Sequence, residues 1–341
     1  MENRIDKTHG AGGVSTSQLI EEVFREAFSN KYLNELADSA VVPGASDLAL
    51  TTDSFVVRPV VYPGGDIGRL AVCGTVNDLL MSGAKPAYLT AGYILEEGLE
   101  VDTLKKIVTS MAETAKEANV RIVTGDTKVV EAADPGNPGL MINTSGVGFI
   151  SGKLRISPRY IKPKDAVILS GTLGDHHAAI LGSRLSVKNN ILSDNAPLTD
   201  MVSRLKESGI KIKAMRDVTR GGLATILNEF SEASGTHIYI EETALPVSQD
   251  VAGFSRLLGL DPLYMGNEGK CVIILPSDEA QQALDIIKGS RYGENAAIIG
   301  EVREVKSDPE NTEKPGVLIH TSIGGIRTAG ALVGEGLPRI C

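Results

Sequence analysis

The chain has 341 residues, with 34 Lys and Arg against 43 Asp and Glu, which gives a formal charge of −9. Its 42% apolar and 23% charged residues are an ordinary globular composition that excludes a disordered or fibrous chain, and the acidic balance argues against nucleic-acid binding. No run of about 18 uncharged apolar residues is present to span a membrane, and MENRIDKTHG lacks the apolar core of a secretory signal, so a soluble cytoplasmic protein is expected.

At about 100–200 residues per domain, the length suggests two domains. In chain order, residues 15–28 place Leu19, Ile20, Val23, Phe24, Ala27 and Phe28 on one helical face, with Ser15 or Ser17 as a cap. Residues 47–57 read as a strand and 66–82 as a helix that is apolar all round. Strands follow at 88–95, 121–125 and 140–150. The segment 102–118 between the first two of these is an amphipathic helix with Asp102 as cap and Leu104, Ile107, Val108, Met111 and Ala115 inward. The basic, proline-marked stretch 151–165 reads as a domain boundary. Beyond it, strands are expected at 166–170, 237–241, 271–275 and 297–302. Helices are expected at 175–185, 197–208, 222–234, 249–259 and 277–288. The polar run 303–316 reads as a surface loop.

Cysteine chemistry is sparse. Cys73 and Cys271 lie in apolar contexts (LAVCGTV, GKCVIIL) and read as core thiols, with no CxxC pair in the chain. Cys341 is the last residue, where a chain end is usually exposed and mobile, so its thiol is either incidental or reactive. No Walker or dinucleotide-binding pattern is formed: GVGFISGKL has Leu154 after its lysine, and no strand precedes GAGG.

Aspartate stands out instead. Asp47, Asp53, Asp78, Asp126 and Asp217 each lie at or beside the end of an apolar segment, and Asp78 sits within the all-apolar helix. A buried carboxylate needs a cation or several donors. One such acid is usually structural, but five suit a hard cation of the Mg2+ type, which takes oxygen ligands and couples to phosphates. Two glycine-rich turns, THGAGG (Gly10, Gly12, Gly13) and TRGG (Arg220, Gly221, Gly222), offer backbone amides suited to phosphate, although both could be ordinary turns. His9 reads as a local turn contact, and His176 and His177 as a solvated helix start. Lys128 and Glu268 are single charges between apolar segments, open to a salt-bridge role or to chemistry.

Taken in order, TTDSFVV, PGGDIGRLAVCGTVNDLLMSGAKP, ILEEGL, VTSMAETA, TGDTKVV, INTSG, SGTLGDH, RDVTRGG, NEGK and LPRIC resemble the HypE family of hydrogenase maturation factors. That family is similar in turn to the PurM-like, or aminoimidazole ribonucleotide (AIR) synthase-like, superfamily. The likeness runs from about residue 8 to residue 341. The acidic and glycine motifs are shared across the superfamily, whereas the PRIC ending points to HypE. Ser46-Asp47 replaces the acid pair of thiamine-phosphate kinases.

The resemblance implies an α/β fold of two domains. Residues 1–150 would form an N-terminal dimerising sheet domain that binds ATP, and 160–305 a C-terminal α/β domain, with ATP in a groove between them. Residues 306–341 would carry a flexible C-terminal tail ending in Cys341. It further implies that the carbamoyltransferase HypF loads Cys341, that ATP with Mg2+ drives dehydration of the S-carboxamide to an S-thiocyanate, and that a HypC–HypD complex receives the cyanide. Asp47, Asp53, Asp78, Asp126 and Asp217 would then hold metal. Gly10, Gly12, Gly13, Asn77, Thr127, Arg220, Gly221 and Gly222 would hold the nucleotide. Lys128, Glu268 and Cys341 would do the chemistry. The alternatives are another ATP-dependent member of the superfamily, of the selenide- or thiamine-phosphate-kinase type, and a non-catalytic carrier of a group on Cys341.

Overall fold

The structure, a computed structural model, describes residues 4–6, 9, 18–35, 44, 47–150, 156–305, 307, 308, 311, 312 and 314–332. The chain divides into two compact units, one formed by residues up to about 150 and the other by most of the remainder, with residues 81–83 grouping with the second.

The first unit is built on four strands: β1 (Leu48–Phe55), β4 (Lys85–Glu96), β5 (Arg121–Val130) and β6 (Leu140–Phe149). Two short strands, β2 (Val61–Tyr62) and β3 (Gly65–Asp66), form a separate hairpin. The main sheet has the order β1-β6-β4-β5, antiparallel except for the β4/β5 pair. Helix α1 (Ile67–Met81) follows the hairpin, and α2 (Val101–Glu117) makes the crossover that a parallel β4/β5 pair requires. In α1, Leu70, Ala71, Val72, Cys73 and Val76 are all fully buried, as its uniform apolar character predicts. On α2 the expected Leu104, Ile107, Val108, Met111 and Ala115 face inward. Asp102 does not cap this helix. Glu100 holds the cap position, and Asp102 lies in the first turn, where its charge still meets the positive end of the helix dipole. The N-terminal helical segment covers Ile20–Arg25 and Glu26–Phe28 and buries Val23, Phe24 and Phe28. Ser15 and Ser17 lie outside the described residues.

The second unit holds a seven-stranded sheet. Its strands are β7 (Asp165–Leu169), β8 (Ala214–Asp217), β9 (His237–Glu241), β10 (Cys271–Pro276), β11 (Ala297–Arg303), β14 (Val317–His320) and β15 (Ile326–Ala329). Their order is β15-β14-β9-β11-β7-β10-β8, with β14/β9 the parallel pair. Of its helices, α5 (Gly222–Ser234) and α7 (Ala280–Lys288) pack on the sheet, while α3 (Asp175–Arg184) packs on α6 (Gln249–Leu258) and α4 (Thr199–Glu207) on α7. β7 is buried along its whole length, and β10 is buried from Cys271 to Leu275, so both read as continuous apolar runs rather than alternating ones. Strands β8, β14 and β15 have no counterpart in the sequence reading. Each has four residues, too few to display a period of two. The run expected as a loop at 303–316 carries a minimal hairpin, β12 (Ser307–Asp308) against β13 (Asn311–Thr312). No helix of the described residues is long and apolar enough to cross a membrane.

Candidate active site

In the first unit the sheet register sorts the candidate residues onto two faces. Asp53 pairs with Thr144, which pairs with Ala91, and this row faces α1: Thr144 is fully buried and Asp53 accepts a 3.0 Å hydrogen bond from the Thr75 hydroxyl of α1. Asp78, on α1 itself, accepts a 2.7 Å bond from the Thr51 hydroxyl of β1. Asn77 is buried beside it on the same helix. The next row runs Ser54–Asn143–Gly92–Asp126. Successive rows of a sheet point to opposite faces. Asp126 and Lys128 therefore stand on the other face, their side chains 71% and 66% exposed, paired at 3.2 Å. Thr127 points back toward the helix side, in register with buried Tyr93. Asp47 is exposed just before β1.

The open face also carries Leu48, Leu50, Ile94 and Val130, all exposed.

Among the described residues, no three His, Cys, Asp or Glu side chains stand together as a metal cage. Of the five aspartates, Asp47 and Asp126 are exposed, and a hard cation such as Mg2+ takes carboxylate oxygens of this kind.

In the second unit, Asp217 ends β8, buried and in register with Cys271 of β10. Arg220 and Gly221 lead into α5, whose first residue is Gly222. Glu268 is buried in the loop entering β10, and that loop is fixed on several sides. Asn267 accepts the Gly174 N–H at 2.7 Å through Oδ1, and its amide donates to the carbonyls of Val218 and Met265. The carbonyl of Lys270 accepts the Val218 N–H at 2.8 Å, and the Cys271 N–H donates to the Ser170 hydroxyl at 2.8 Å. On the remaining side, Oδ1 of Asp194 accepts the Glu268 N–H at 3.0 Å. Asp194 was not singled out in the sequence. In Ser193-Asp194-Asn195-Ala196-Pro197 it reads as a polar loop residue, and only its burial distinguishes it. Burial pushes the Asp194 carboxyl above its usual range, opposed by Lys270 and the N–H groups of Glu268 and Gly269. Nearby Asp175 is raised too, again by burial first.

Gly10, Gly12, Gly13 and Cys341 lie outside the described residues. Cys73 and Cys271 are buried thiols, and burial lifts Cys271 to about 12, which makes it inert as a nucleophile. His9 is buried and takes part in a local contact with Asp6, its Nδ1 3.1 Å from the carboxylate.

The reading of His176 and His177 as a solvated helix start is corrected. Both are buried at the start of α3, and burial lowers His176 to about 3 and His177 to about 4. The sequence signal was ambiguous because a His pair at a helix start suits water as well as core. The shift has a measurable consequence. The folded His177 stays neutral down to about pH 4, whereas the unfolded chain takes up that proton near 6.5. The unfolded state thus binds more protons between those values, and stability falls as pH falls through that window. His177→Gln should lose about 3 kcal/mol less unfolding free energy than the parent between pH 7 and pH 4. Urea titrations across that range check it, and identical pH slopes would contradict it.

Against this geometry, residues 36–150 match the AIR synthase related protein N-terminal domain, and residues 162–308 match the corresponding C-terminal domain. The chain is 46% identical to carbamoyl dehydratase HypE of Cupriavidus necator, over 99% of this chain and 95% of that one. It is similar to a crystal structure of hydrogenase maturation protein HypE in complex with ATP, with TM-score 0.92 and 43% identity over 98% of this chain and 99% of that one. It is also similar to a chain from a HypE–HypF complex, with TM-score 0.78 and 47% identity over 92% of this chain and 99% of that one. An α1 apolar on every side, a β4/β5 crossover sheet and the interlocked NEGK loop thus sit in a chain that matches these proteins from end to end: it belongs to the HypE family of hydrogenase maturation proteins, within the AIR synthase related proteins.

Proposed function

We propose that the protein is an ATP-dependent carbamoyl dehydratase that converts the S-carboxamide of its own Cys341 into an S-thiocyanate, a source of cyanide for nickel–iron hydrogenase. The observation that carries this reading is the full-length likeness to a curated carbamoyl dehydratase, joined to a similar protein solved with ATP. The chemistry is demanding for a simple reason. An amide oxygen is a poor leaving group. Transfer of the γ-phosphoryl group of ATP to that oxygen, with release of ADP, turns it into a phosphate ester. Loss of phosphate together with the remaining nitrogen proton then leaves the nitrile. The balance is one carboxamide and one ATP to one thiocyanate, ADP and phosphate.

Three groups of the chain divide the work. Cys341 tethers the substrate. Lys128 supplies a positive charge near the carbonyl oxygen as it takes phosphate, and Glu268 removes the nitrogen proton. A bound Mg2+ would neutralise triphosphate charge, and its candidate oxygen ligands are Asp126 on the open face or, on the helix side, Asp53 and Asp78, with Asp47 and Asp217 as further ones. Asn77, Thr127, Arg220, Gly221, Gly222 and the Gly10–Gly13 turn are the candidates for holding the nucleotide. HypF loads the thiol, a HypC–HypD complex takes the cyanide, and a second copy of this chain covers the open sheet face of Leu48, Leu50, Ile94 and Val130.

The direct test follows the mass of the peptide bearing Cys341. After loading by HypF it should gain one carbamoyl group, and with Mg2+ and ATP it should then lose the mass of one water. No change on adding ATP, or phosphate appearing on a free small molecule, would overturn the reading. For the nucleotide, Asp126→Asn and Asp78→Asn should each weaken Mg2+-ATP binding by about tenfold or more in calorimetric titration. Equal affinity in both variants would remove the aspartates from the site.

A further inference from the structure

The loop carrying Glu268 is held by a buried carboxylate that no catalytic role explains. Asp194 is 4% exposed at its side chain. Its Oδ1 accepts the Glu268 N–H at 3.0 Å. Its Oδ2 faces the ammonium of Lys270 at 3.8 Å, itself 10% exposed. Burying a carboxylate this deeply is costly unless its lone pairs meet donors and its charge meets a cation. Here Oδ1 meets the Glu268 N–H, while Oδ2 has no hydrogen-bond partner and faces only the Lys270 charge at 3.8 Å, so what compensation the carboxylate has comes from this one loop.

The neighbouring backbone is shaped to allow that contact. A Cβ on Gly171 would come within 2.8 Å of Cδ and Cε of Lys270, so the glycine leaves the channel through which the lysine reaches Asp194. A Cβ on Gly269 would lie 2.0 Å from the Asp194 carbonyl oxygen and 2.9 Å from the Ala196 nitrogen. The Glu268 loop and the 193–196 loop therefore touch backbone to backbone. On the opposite side, Asn267 ties the same loop to Gly174 and Val218. The backbone at Glu268 is thus held by Asp194 on one side and, through its neighbour Asn267, by Gly174 and Val218 on another.

We infer that Asp194 is a positioning residue for the dehydration step: through the Glu268 N–H and the Lys270 ammonium it sets the carboxylate of Glu268 in its proton-abstracting place. This rests on the proposed role of Glu268. It assigns to Asp194 no contact with substrate or nucleotide. A proton-abstracting group displaced by an ångström loses rate while nucleotide binding is spared, because ATP affinity does not pass through this loop in the proposed scheme.

The test uses the full chain, loaded by HypF, in single turnover with Mg2+ and ATP. Asp194→Ala should slow nitrile formation by about tenfold to a hundredfold with an unchanged KM for ATP. Asp194→Asn, which keeps an oxygen acceptor for the Glu268 N–H but loses the charge facing Lys270, should recover part of that rate. The deciding measurement is the pair with Glu268→Gln. If Asp194 acts through Glu268, adding Asp194→Ala to Glu268→Gln slows the reaction no further, since the group being positioned is already gone. Should Asp194→Ala fail to fold, Asp194→Asn in the same two backgrounds gives the same comparison. A rate loss that multiplies in the double variant, or a raised KM for ATP, would overturn the positioning role. So would a wild-type rate for Asp194→Ala beside a slow Glu268→Gln. A wild-type rate for Glu268→Gln would instead remove Glu268 as the base, and the inference with it.

Discussion

Replacing Cys341 with Ser is expected to abolish carbamoyl acceptance and thiocyanate formation altogether while leaving Mg2+-ATP affinity and melting temperature at parent values. In the proposed reaction the Cys341 sulfur carries the substrate, so no other residue of the chain can substitute for it. Cys73 and Cys271 are both buried, and the Cys271 thiol is held far from ionisation, so neither offers a second acceptor. Deleting residues 337–341 should give the same result as the single substitution. Residues 333–341 lie outside the described residues, and the tether is what the family resemblance implies for them. Intact-mass analysis after incubation with HypF, run beside a thermal melt, decides it. Efficient carbamoylation of the truncated chain would refute the tether, and a large fall in melting temperature would mean the segment packs as a structural element.

What the sequence made legible was what has a period or a chemical label. α1 was readable because an apolar surface on every side admits only a buried helix, and α2 because five inward residues recur at helical spacing. β8, β14 and β15 were invisible because four residues carry no period. The aspartates were visible as residue types, but their distribution over two faces of the sheet is a property of register. Asp53 lies one row from Asp126 in pairing terms and on the opposite side in space. Asp194 illustrates the deeper limit. Its neighbours are Ser, Asn, Ala and Pro, a loop signature, and its importance comes from partners 74 residues away in sequence.

Gly222→Ala is expected to destabilise the fold strongly, and it separates the two readings of the TRGG turn. As a phosphate loop, its glycines would be needed for the ligand. The structure gives a packing reason that operates without one. Gly222 has φ of +65°, and a Cβ there would lie 2.4 Å from the Leu263 carbonyl oxygen and 2.5 and 2.6 Å from backbone atoms of Tyr264. All three obstacles are backbone, so no rotamer change relieves them. Helix α5 can begin this close to the 262–264 turn only with a hydrogen at that position. The strain of a left-handed residue adds to the clash, for a combined cost of about 4 kcal/mol. In a unit of this size that corresponds to a fall in melting temperature on the order of 10 °C. Gly221 provides the control. Its φ is +80°, and the nearest obstacles are side-chain atoms of Thr225: Oγ1 at 2.6 Å, which can rotate away, and Cβ at 2.9 Å, which needs a shift of a few tenths of an ångström. Gly221→Ala should therefore cost the backbone term of about 1–2 kcal/mol and little more. If the glycines served phosphate alone, both variants would melt like the parent and lose ATP affinity equally. A Gly222→Ala protein that is much less stable than Gly221→Ala, in the absence of nucleotide, places the requirement in the packing of α5 and leaves the helix start free to present its amides.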